Sequence, residues 1–430
     1  MREPLANLGA KAFARIARSR GHLTNSAKLA GGYCAQVLLQ MVYFLILTRM
    51  LGPDRFGQFA AALAAINLVS PLAGLGFSEV ALVRVSQDKK STLMWAANAT
   101  LVTAVMGCIA AIGLAFAAAL LAGNGWLDWY VVLGLAISEL VLVRCCLVVG
   151  RIHQARGEIT RCSAIHVAVA AMKALIALSL FLSGQESLLL LVILLDVCFS
   201  PLLLLLVIKL NGRIPLNAFS WADLMTELRL AVSFGTSVVC KAVYTDLDKL
   251  FLARWTTPYV VGTYAAGYKM LSLSFMPIRA VLEATFPRQI QLATQTQSAC
   301  LWFTSKVLLL NTAIASTIAA GFFIFAPWVT LVLGEDFEES VGVLRIGFLL
   351  PVLQAFHYTL GNYLTAIGHQ TVRTVVQMFV LLVYVIAGVI FIPLYSWQGA
   401  IWTSLSCELL LGSLFAVSCF VFFLKDQNAK

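Results

Sequence analysis

Residues 269, 272, 276, 279 and 283 are separated by 3, 4, 3 and 4. On a helix that spacing aligns Lys269, Ser272, Met276, Arg279 and Glu283 along one face. Arg279 and Glu283 stand close enough to pair at i,i+4, which leaves Lys269 the less compensated cation. The residues around them are apolar, and an ionisable group at the centre of a bilayer costs about 2.5–3.5 kcal/mol on insertion scales. Such a group needs a partner, a water-filled cavity or a function. Two readings stay open for this face: a salt bridge that packs helices, or a cationic cavity wall that receives an anionic headgroup. Pro277 is expected to kink the helix.

The other ionisable residues inside apolar runs are Glu79, Glu139, Arg144, Lys173, Asp196, Lys241, Asp246, Asp248, Lys249, Arg345 and Glu408. Lys241 and Asp248 are seven apart and share a face, and Asp246 and Lys249 pair at i,i+3. Their chemistry is either mutual neutralisation or an Asp that is protonated during turnover. Lys173 and Asp196 fall on consecutive antiparallel helices and are expected to pair, whereas Glu139 and Glu408 receive no partner. The candidate anion-binding cations are therefore Lys269, Arg279, Lys241, Lys173, Arg144 and Arg84. The candidate coupling or ion-pair groups are Asp246, Asp248, Lys249, Glu283, Asp196, Glu139 and Glu408. Two faces of small or polar residues read as helix-packing surfaces: Asn67, Ser70, Pro71, Gly74 and Ser78, and Gln354, Tyr358, Gly361 and Thr365 with Asn362 adjoining. No GxxxxGK[ST] phosphate loop is present, so ATP hydrolysis by this chain is not expected. Ser, His and Asp are too scattered for a triad. The ten cysteines show no CxxC or Cys/His metal spacing and read as small apolar packers. Neither metal nor cofactor is expected.

These groups must be positioned by membrane-spanning elements. Hydrophobic residues make up 60% of the chain and charged residues 12%, against about 25% charged in a soluble domain. Lipid offers the backbone no hydrogen-bonding partner, so continuous apolar runs must be helices. At about 20 residues per crossing, the runs give twelve spans: 29–50, 57–83, 93–122, 128–149, 163–183, 187–209, 229–253, 260–286, 301–326, 343–366, 372–394 and 398–424. The expected organisation is a basic N-terminal segment 1–28, a first lobe 29–210, a linker 211–228, a second lobe 229–424 and a tail 425–430. The basic leader and the basic even-numbered turns (Arg84, Lys89, Lys90; Arg151, Arg156, Arg161; Lys209, Arg213, Arg229; Arg288, Lys306; Arg373) place both termini in the cytoplasm. Odd-numbered turns are charge-poor or acidic, as at Glu335, Asp336, Glu338 and Glu339; Arg49 with Arg55, and Arg254, are exceptions. The leader reads as an amphipathic surface helix or as a disordered basic orientation signal. The net charge of +10 is thus mostly topology, and nucleic acid is not an expected partner.

An internal repeat organises the spans. Arg49, Pro53, Gly57, Phe59, Ala60 and Ala61, and Arg254, Pro258, Gly262, Tyr264, Ala265 and Ala266, both follow R-x3-P-x3-G-x-[FY]-A-A. Each motif is expected to form an external loop between the first and second spans of a six-helix half. Proline would break one helix and glycine would permit a tight re-entry into the next. A weaker echo sets Ala155-Arg156-Gly157 against Ala366-Ile367-Gly368. Two parallel six-helix repeats suit a transporter with its site between the halves.

On these residues the chain resembles a known family. The stretch Leu47–Arg84, the segments Tyr244–Lys249 and Val261–Lys269, and Leu333–Phe337 leading into Leu344–Ile346 are similar to bacterial polysaccharide-biosynthesis membrane proteins. These are the O-antigen and exopolysaccharide flippases of the multidrug/oligosaccharidyl-lipid/polysaccharide exporter superfamily. The resemblance covers about residues 28–420. It implies an all-α integral membrane fold of two six-helix lobes arranged in a V, alternating access, and an undecaprenyl-diphosphate-linked oligosaccharide as the partner moved across the bacterial inner membrane. A polysaccharide polymerase and chain-length proteins are further implied partners. Two alternatives remain: a cation-coupled exporter of small drugs or metabolites on the same fold, and an enzyme or assembly partner in polysaccharide synthesis. The exporter would want an acidic or aromatic pocket. The enzyme would want a larger external loop or a carboxylate-rich segment than the short cluster 335–339.

Overall fold

The computed structural model describes residues 3–120, 127–211 and 219–428, and their side chains from residue 31 on apart from 33, 208–211, 233, 236–241 and 425–428. Every regular element among them is helical. In chain order these are α1 (Glu3–Gly74), α2 (Phe77–Gln87), α3 (Thr92–Leu120), α4 (Trp129–Ala136), a π-helical stretch Ile137–Val143, α5 (Arg144–Ala155), α6 (Ile159–Leu182), α7 (Leu188–Asn211), α8 (Trp221–Trp255), α9 (Pro258–Ser274), α10 (Met276–Ala293), α11 (Gln297–Phe325), α12 (Val329–Leu333), α13 (Glu339–Gly347), α14 (Leu350–Ala366) and α15 (Gln370–Asn428).

Among the described residues eight helical segments are long and apolar enough to cross a membrane. Two of them, Cys34–Gly74 with 41 residues and Gln370–Leu424 with 55, are about 60 and 80 Å long at 1.5 Å per residue. The hydrocarbon core is about 30 Å thick, so each must be a pair of crossings. Each holds one non-helical residue near its middle, Gly52 (φ 66°, ψ 174°) and Ser396 (φ 55°, ψ −136°), where the sequence places loops. The eight segments therefore account for ten of the twelve expected spans. The other two, 229–253 and 260–286, correspond to α8 and to α9 with α10. These are also the segments that carry Asp246, Asp248, Lys249, Lys269, Arg279 and Glu283.

Three breaks shape the spans from within. The second span is cut at Leu75 (φ 45°) and Gly76 (φ 79°), which divides the small-residue face expected over 67–78. A Cβ on Gly76 would overlap the Ala231 carbonyl and come within 2.8 Å of the Gly235 nitrogen, so the turn also serves a close approach to α8. The eighth span is cut at Phe275, with Pro277 in the first turn of α10, as the sequence predicts. The fourth carries the π-helical stretch. The linker expected over 211–228 is helical from Trp221 onward; residues 212–218 lie outside the described residues. Ser220 starts that helix. Its Oγ accepts the Asp223 N–H at 3.4 Å, and Asn98 brackets its backbone with bonds of 3.0 and 3.2 Å.

The helices gather into two compact units. The first comprises Met1–Met50 and Val69–Val239, the second Leu51–Leu68 and Cys240–Lys430. Phe77, Val80, Val85, Trp95, Val149 and Ile152 pack the first. Cys300, Tyr363, Tyr384, Cys407, Leu411 and Phe415 pack part of the second. Six of the nine described cysteines are buried, as expected of apolar packers.

Residues 51–68 group with the second unit because the repeated motif encodes a helix crossing there. Pro53, Gly57 and Ala61 are four apart, as are Pro258, Gly262 and Ala266, so each triplet lines one helix face. A Cβ on Gly57 would overlap the Pro258 carbonyl oxygen and stand 2.8 Å from the Gly262 nitrogen. A Cβ on Gly262 would overlap the Pro53 carbonyl oxygen and stand 3.0 Å from the Gly57 nitrogen. Backbone meets backbone reciprocally, an approach that small residues allow. The expected role of the motif is corrected accordingly. The turn glycine is Gly52, with its positive φ, while Gly57 and Gly262 are helical and are needed for the crossing.

Candidate functional site

In the first unit, Glu139 lies in the π-helical stretch and pairs with Lys173 of α6, both side chains being mostly buried. This corrects the expected Lys173–Asp196 pair. A π turn inserts extra rotation into the helix, so the face carrying Glu139 cannot be read from regular 3.6-residue periodicity. Asp196 is left with an Oδ1 that is buried without a hydrogen-bond partner. Its helix packs closely on α4: a Cβ on Gly134 would lie 2.5 Å from Val192 Cγ1 and 3.3 Å from Asp196 Oδ2. Arg144, half-buried, follows the π-helical stretch directly.

Four arginines of this unit's basic turns are tied to carboxylates. Arg84 pairs with Glu227 of α8 and also donates to Gln87 at 3.2 Å; Arg84 is thus held by a partner the sequence reading did not supply. Arg151 reaches Glu79 at 3.1 Å. Glu158 gathers His153 at 2.8 Å, Arg161 at 2.7 Å and Arg156 at 3.3 Å. Burial raises the Glu158 pKa, but the hydrogen bonds from His153 and Arg161 and the charges of Arg156 and Arg161 outweigh it and hold the carboxyl below its ordinary value.

The second unit holds a buried network on α8 and α9. Lys249 Nζ donates to the Thr245 carbonyl at 2.7 Å, Asp246 Oδ1 at 2.9 Å and Asp248 Oδ1 at 3.4 Å, and stands 4.9 Å from the Tyr268 ring centroid. An ammonium has three donors, and all three are placed. The Asp246–Lys249 pair is as the sequence predicts. Asp248 is buried and also accepts from the Tyr264 hydroxyl. Tyr264 and Tyr268 stack at 5.7 Å. The side chain of Lys241 lies outside the described residues, so its expected shared face with Asp248 does too.

A second buried group surrounds Glu408 of α15, whose partner the sequence reading left unassigned. His357 Nδ1 of α14 stands 2.5 Å from Glu408 Oε2, without the alignment of a hydrogen bond, and the Gln354 amide donates to Oε1 at 3.3 Å. Both side chains are almost fully buried. The His357 ring lies 4.2 Å from that of Tyr358, which lies 5.0 Å from that of Phe275 at the α9–α10 break. His357 was missed although a signal existed: a lone histidine and a lone glutamate in two apolar spans are each costly alone. The rest of the α14 face packs helices, with Arg373 donating to Thr365 Oγ1 at 2.8 Å and to the Gly361 carbonyl at 3.4 Å.

Lys269, Ser272, Met276, Arg279 and Glu283 are all exposed. Arg279 Nε donates to Glu283 at 2.9 Å, with the two side chains 54% and 65% exposed. Both side chains of the pair are exposed in the protein rather than buried among its helices. Arg345 is likewise exposed.

The fold defines a class. The chain is similar to a multidrug resistance MATE family transporter of the MOP superfamily in an inward-facing conformation, with a TM-score of 0.72, 15% identity, and 92% and 94% of the two chains covered. It is also similar to the MATE multidrug transporter DinF-BH, at 0.65, 15% identity, and 92% and 94%. A third likeness is to a MOP superfamily transporter from Pyrococcus furiosus whose reversed pocket polarity suggests a different function, at 0.60, 14% identity, and 92% and 94%. No curated protein matches the sequence significantly. The family model described as polysaccharide biosynthesis protein matches residues 23–293, more than half the chain. The chain belongs to that family, and it is a multi-pass membrane protein with a transporter fold.

Proposed function

We propose that this chain is a flippase that carries an undecaprenyl-diphosphate-linked oligosaccharide from the inner to the outer leaflet of the bacterial inner membrane, for O-antigen or exopolysaccharide synthesis, with both termini cytoplasmic. The observation that carries this reading, beside family membership, is the exposed face of α9 and α10. Lys269 and Arg279 sit exposed on a helix pair broken at Phe275. Charges that cannot face hydrocarbon line water-filled paths, and cations there suit a diphosphate or an acidic sugar. No bond of the substrate is made or broken. The sugar and diphosphate are shielded from hydrocarbon while the polyprenyl tail stays in the bilayer. Asp196, half-buried with an unpartnered Oδ1, and the buried Glu408 beside His357 are the carboxylates this reading assigns to coupling. The product would serve a polymerase and chain-length proteins on the outer face.

Replacing Lys269 with Ala or Glu should lower surface polysaccharide at least ten-fold while membrane abundance stays near wild type. Wild-type export by both variants would remove the main support for the reading. A second reading, a cation-coupled exporter of small drugs, is favoured by the likeness to multidrug transporters and by Glu408 lying near Tyr244 and Tyr358, with the rings of Tyr244 and Tyr384 5.3 Å apart. Deletion would then sensitise cells to cationic dyes and leave surface polysaccharide intact.

A further inference from the structure

We propose that the first unit carries a binding site for a phosphodiester with a hydroxyl-bearing neighbour, in a cleft between α1, α5 and α6. Two sources share that chemistry: the headgroup of an anionic glycerol lipid, and a soluble glycerophosphodiester. The site uses none of the residues on which the flippase reading relies.

Gly32 and Gln36 of α1, Arg151 and Gln154 of α5, and Ser163 and His166 of α6 line the cleft. Counted out to its open mouth, it holds about 390 Å³. Two glycines bring its walls together. A Cβ on Gly32 would overlap the Ser163 hydroxyl oxygen, and a Cβ on Gly150 would stand 3.3 Å from His166 Cε1. The α1 backbone thus meets Ser163 directly, and the imidazole lies against bare backbone of α5.

Polar side chains that hold transmembrane helices together bond from one helix to the next. Among the described residues these do not bond across the cleft. Arg151 Nη1 donates to Gln154 Oε1 at 3.1 Å, within α5, and His166 Nδ1 donates to the Cys162 carbonyl at 2.8 Å, within α6. A neutral imidazole that donates through Nδ1 presents Nε2 as an acceptor. Gln36 Oε1 is buried without a hydrogen-bond partner. The Ser163 hydroxyl and the Gln154 amide nitrogen make no hydrogen bond among the described residues. Unspent donors and unspent acceptors therefore converge on one space.

Those groups select the ligand. Arginine has five N–H donors; Gln154 takes one, and Glu79, 3.1 Å from Nη2, another. The remainder, with the Gln154 amide and the Ser163 hydroxyl, suit phosphoryl oxygens. Glu79 offsets part of the arginine charge, which favours a singly charged phosphodiester over a doubly charged monoester. Gln36 Oε1 and His166 Nε2 require donors. A phosphodiester has none, and a hydroxyl beside it supplies them. The topology expected from the basic turns sets this end of the spans at the cytoplasmic face, where basic pockets between transmembrane helices take anionic headgroups.

The test uses the full-length chain purified in detergent, with thermal unfolding followed as short-chain phosphatidylglycerol is added. Phosphatidylcholine of the same chain length, whose headgroup has no N–H or O–H donor, is the comparison. A ligand of the folded state raises the unfolding midpoint with its concentration. Phosphatidylglycerol should reach a given shift at about one-tenth of the phosphatidylcholine concentration or less, because its hydroxyls add hydrogen bonds. Gln36→Leu and Ser163→Ala should each raise the concentration needed about five-fold, the worth of one hydrogen bond, and Arg151→Gln should raise it further. Arg161→Gln, at an arginine whose side chain is 67% exposed near the start of α6, should leave it unchanged. Should Arg151→Gln be poorly produced, Gln36→Leu decides, because it removes an unpartnered buried oxygen and does not weaken the unliganded protein. Glycerophosphoglycerol, the headgroup without its tails, separates the sources. An equal shift with it assigns the site to a soluble ligand, and a shift with phosphatidylglycerol alone assigns it to a lipid. Equal responses to the two lipids, no shift with any ligand, or wild-type binding by both Gln36→Leu and Ser163→Ala overturns the site. Unfolding needs no transport, so the site stands or falls apart from the flippase reading.

Discussion

The two copies of the repeat meet through the same residues and then diverge. In the register that sets Gly57 on Gly262, Tyr264 corresponds to Phe59, Asp248 to Tyr43, Lys249 to Phe44 and Asp246 to Met41. The second copy therefore carries a buried network of two carboxylates, an ammonium and a phenol, where the first carries apolar and aromatic side chains. Both copies keep proline, glycine and alanine because the crossing needs small residues on both partners. The charges occur on one side alone, so the helix pair does not require them in order to form. Buried charge is costly, and its restriction to α8 and α9 locates a task there that the first helix pair does not share.

That contrast can be broken at the charges first. Asp248→Ala leaves the Lys249 ammonium short of a partner, and breaking a buried pair costs about 3–5 kcal/mol. At the corresponding first-copy site of Asp246, Met41→Leu conserves volume and should cost less than about 1.5 kcal/mol. Thermal unfolding of the purified protein in one detergent should separate the two clearly. Equal losses would mean that the network holds the helix pair together and has no distinct task.

The aromatic position sharpens the same contrast with a smaller effect. Tyr264→Phe removes a hydrogen bond to a carboxylate, worth about 1.5–3 kcal/mol. Phe59→Tyr places a hydroxyl where Phe59 is 4% exposed; a buried group left without a partner costs about 1–3 kcal/mol. Both changes should destabilise, in opposite chemical directions, by the same unfolding assay. A neutral Phe59→Tyr would mean that the first copy already holds an acceptor for the hydroxyl.

The sequence carried the crossings, the repeat and the i,i+3 and i,i+4 pairs well, because hydropathy and helical spacing are local. Asp246–Lys249 and Arg279–Glu283 are found as the spacing predicts. What failed depended on departures from regular helix. Glu139 pairs with Lys173 across a π-helical stretch, and no count of residues reports that extra turn. The α8 start at Ser220 was read as linker, although Ser220 and Asp223 have the spacing of a helix cap. Gly57 and Gly262 were recognised as equivalent, but their role was assigned to a turn. A glycine needed for φ and a glycine needed for close approach look the same in one sequence. His357 and Glu408 come from distant spans, and their meeting depends on packing that spacing does not encode.

The central claim is that the exposed cations of α9 and α10 serve the passage of a lipid-linked diphosphate sugar. Its most direct test is reconstitution of the purified full-length chain into liposomes containing a fluorescent undecaprenyl-diphosphate oligosaccharide, with transbilayer movement followed by quenching from outside. The account predicts protein-dependent movement that falls at least ten-fold in Lys269→Glu, with both proteins equally folded and incorporated. Movement at equal rates in the two, or none with the wild-type chain in liposomes that do export a cationic dye, would contradict it.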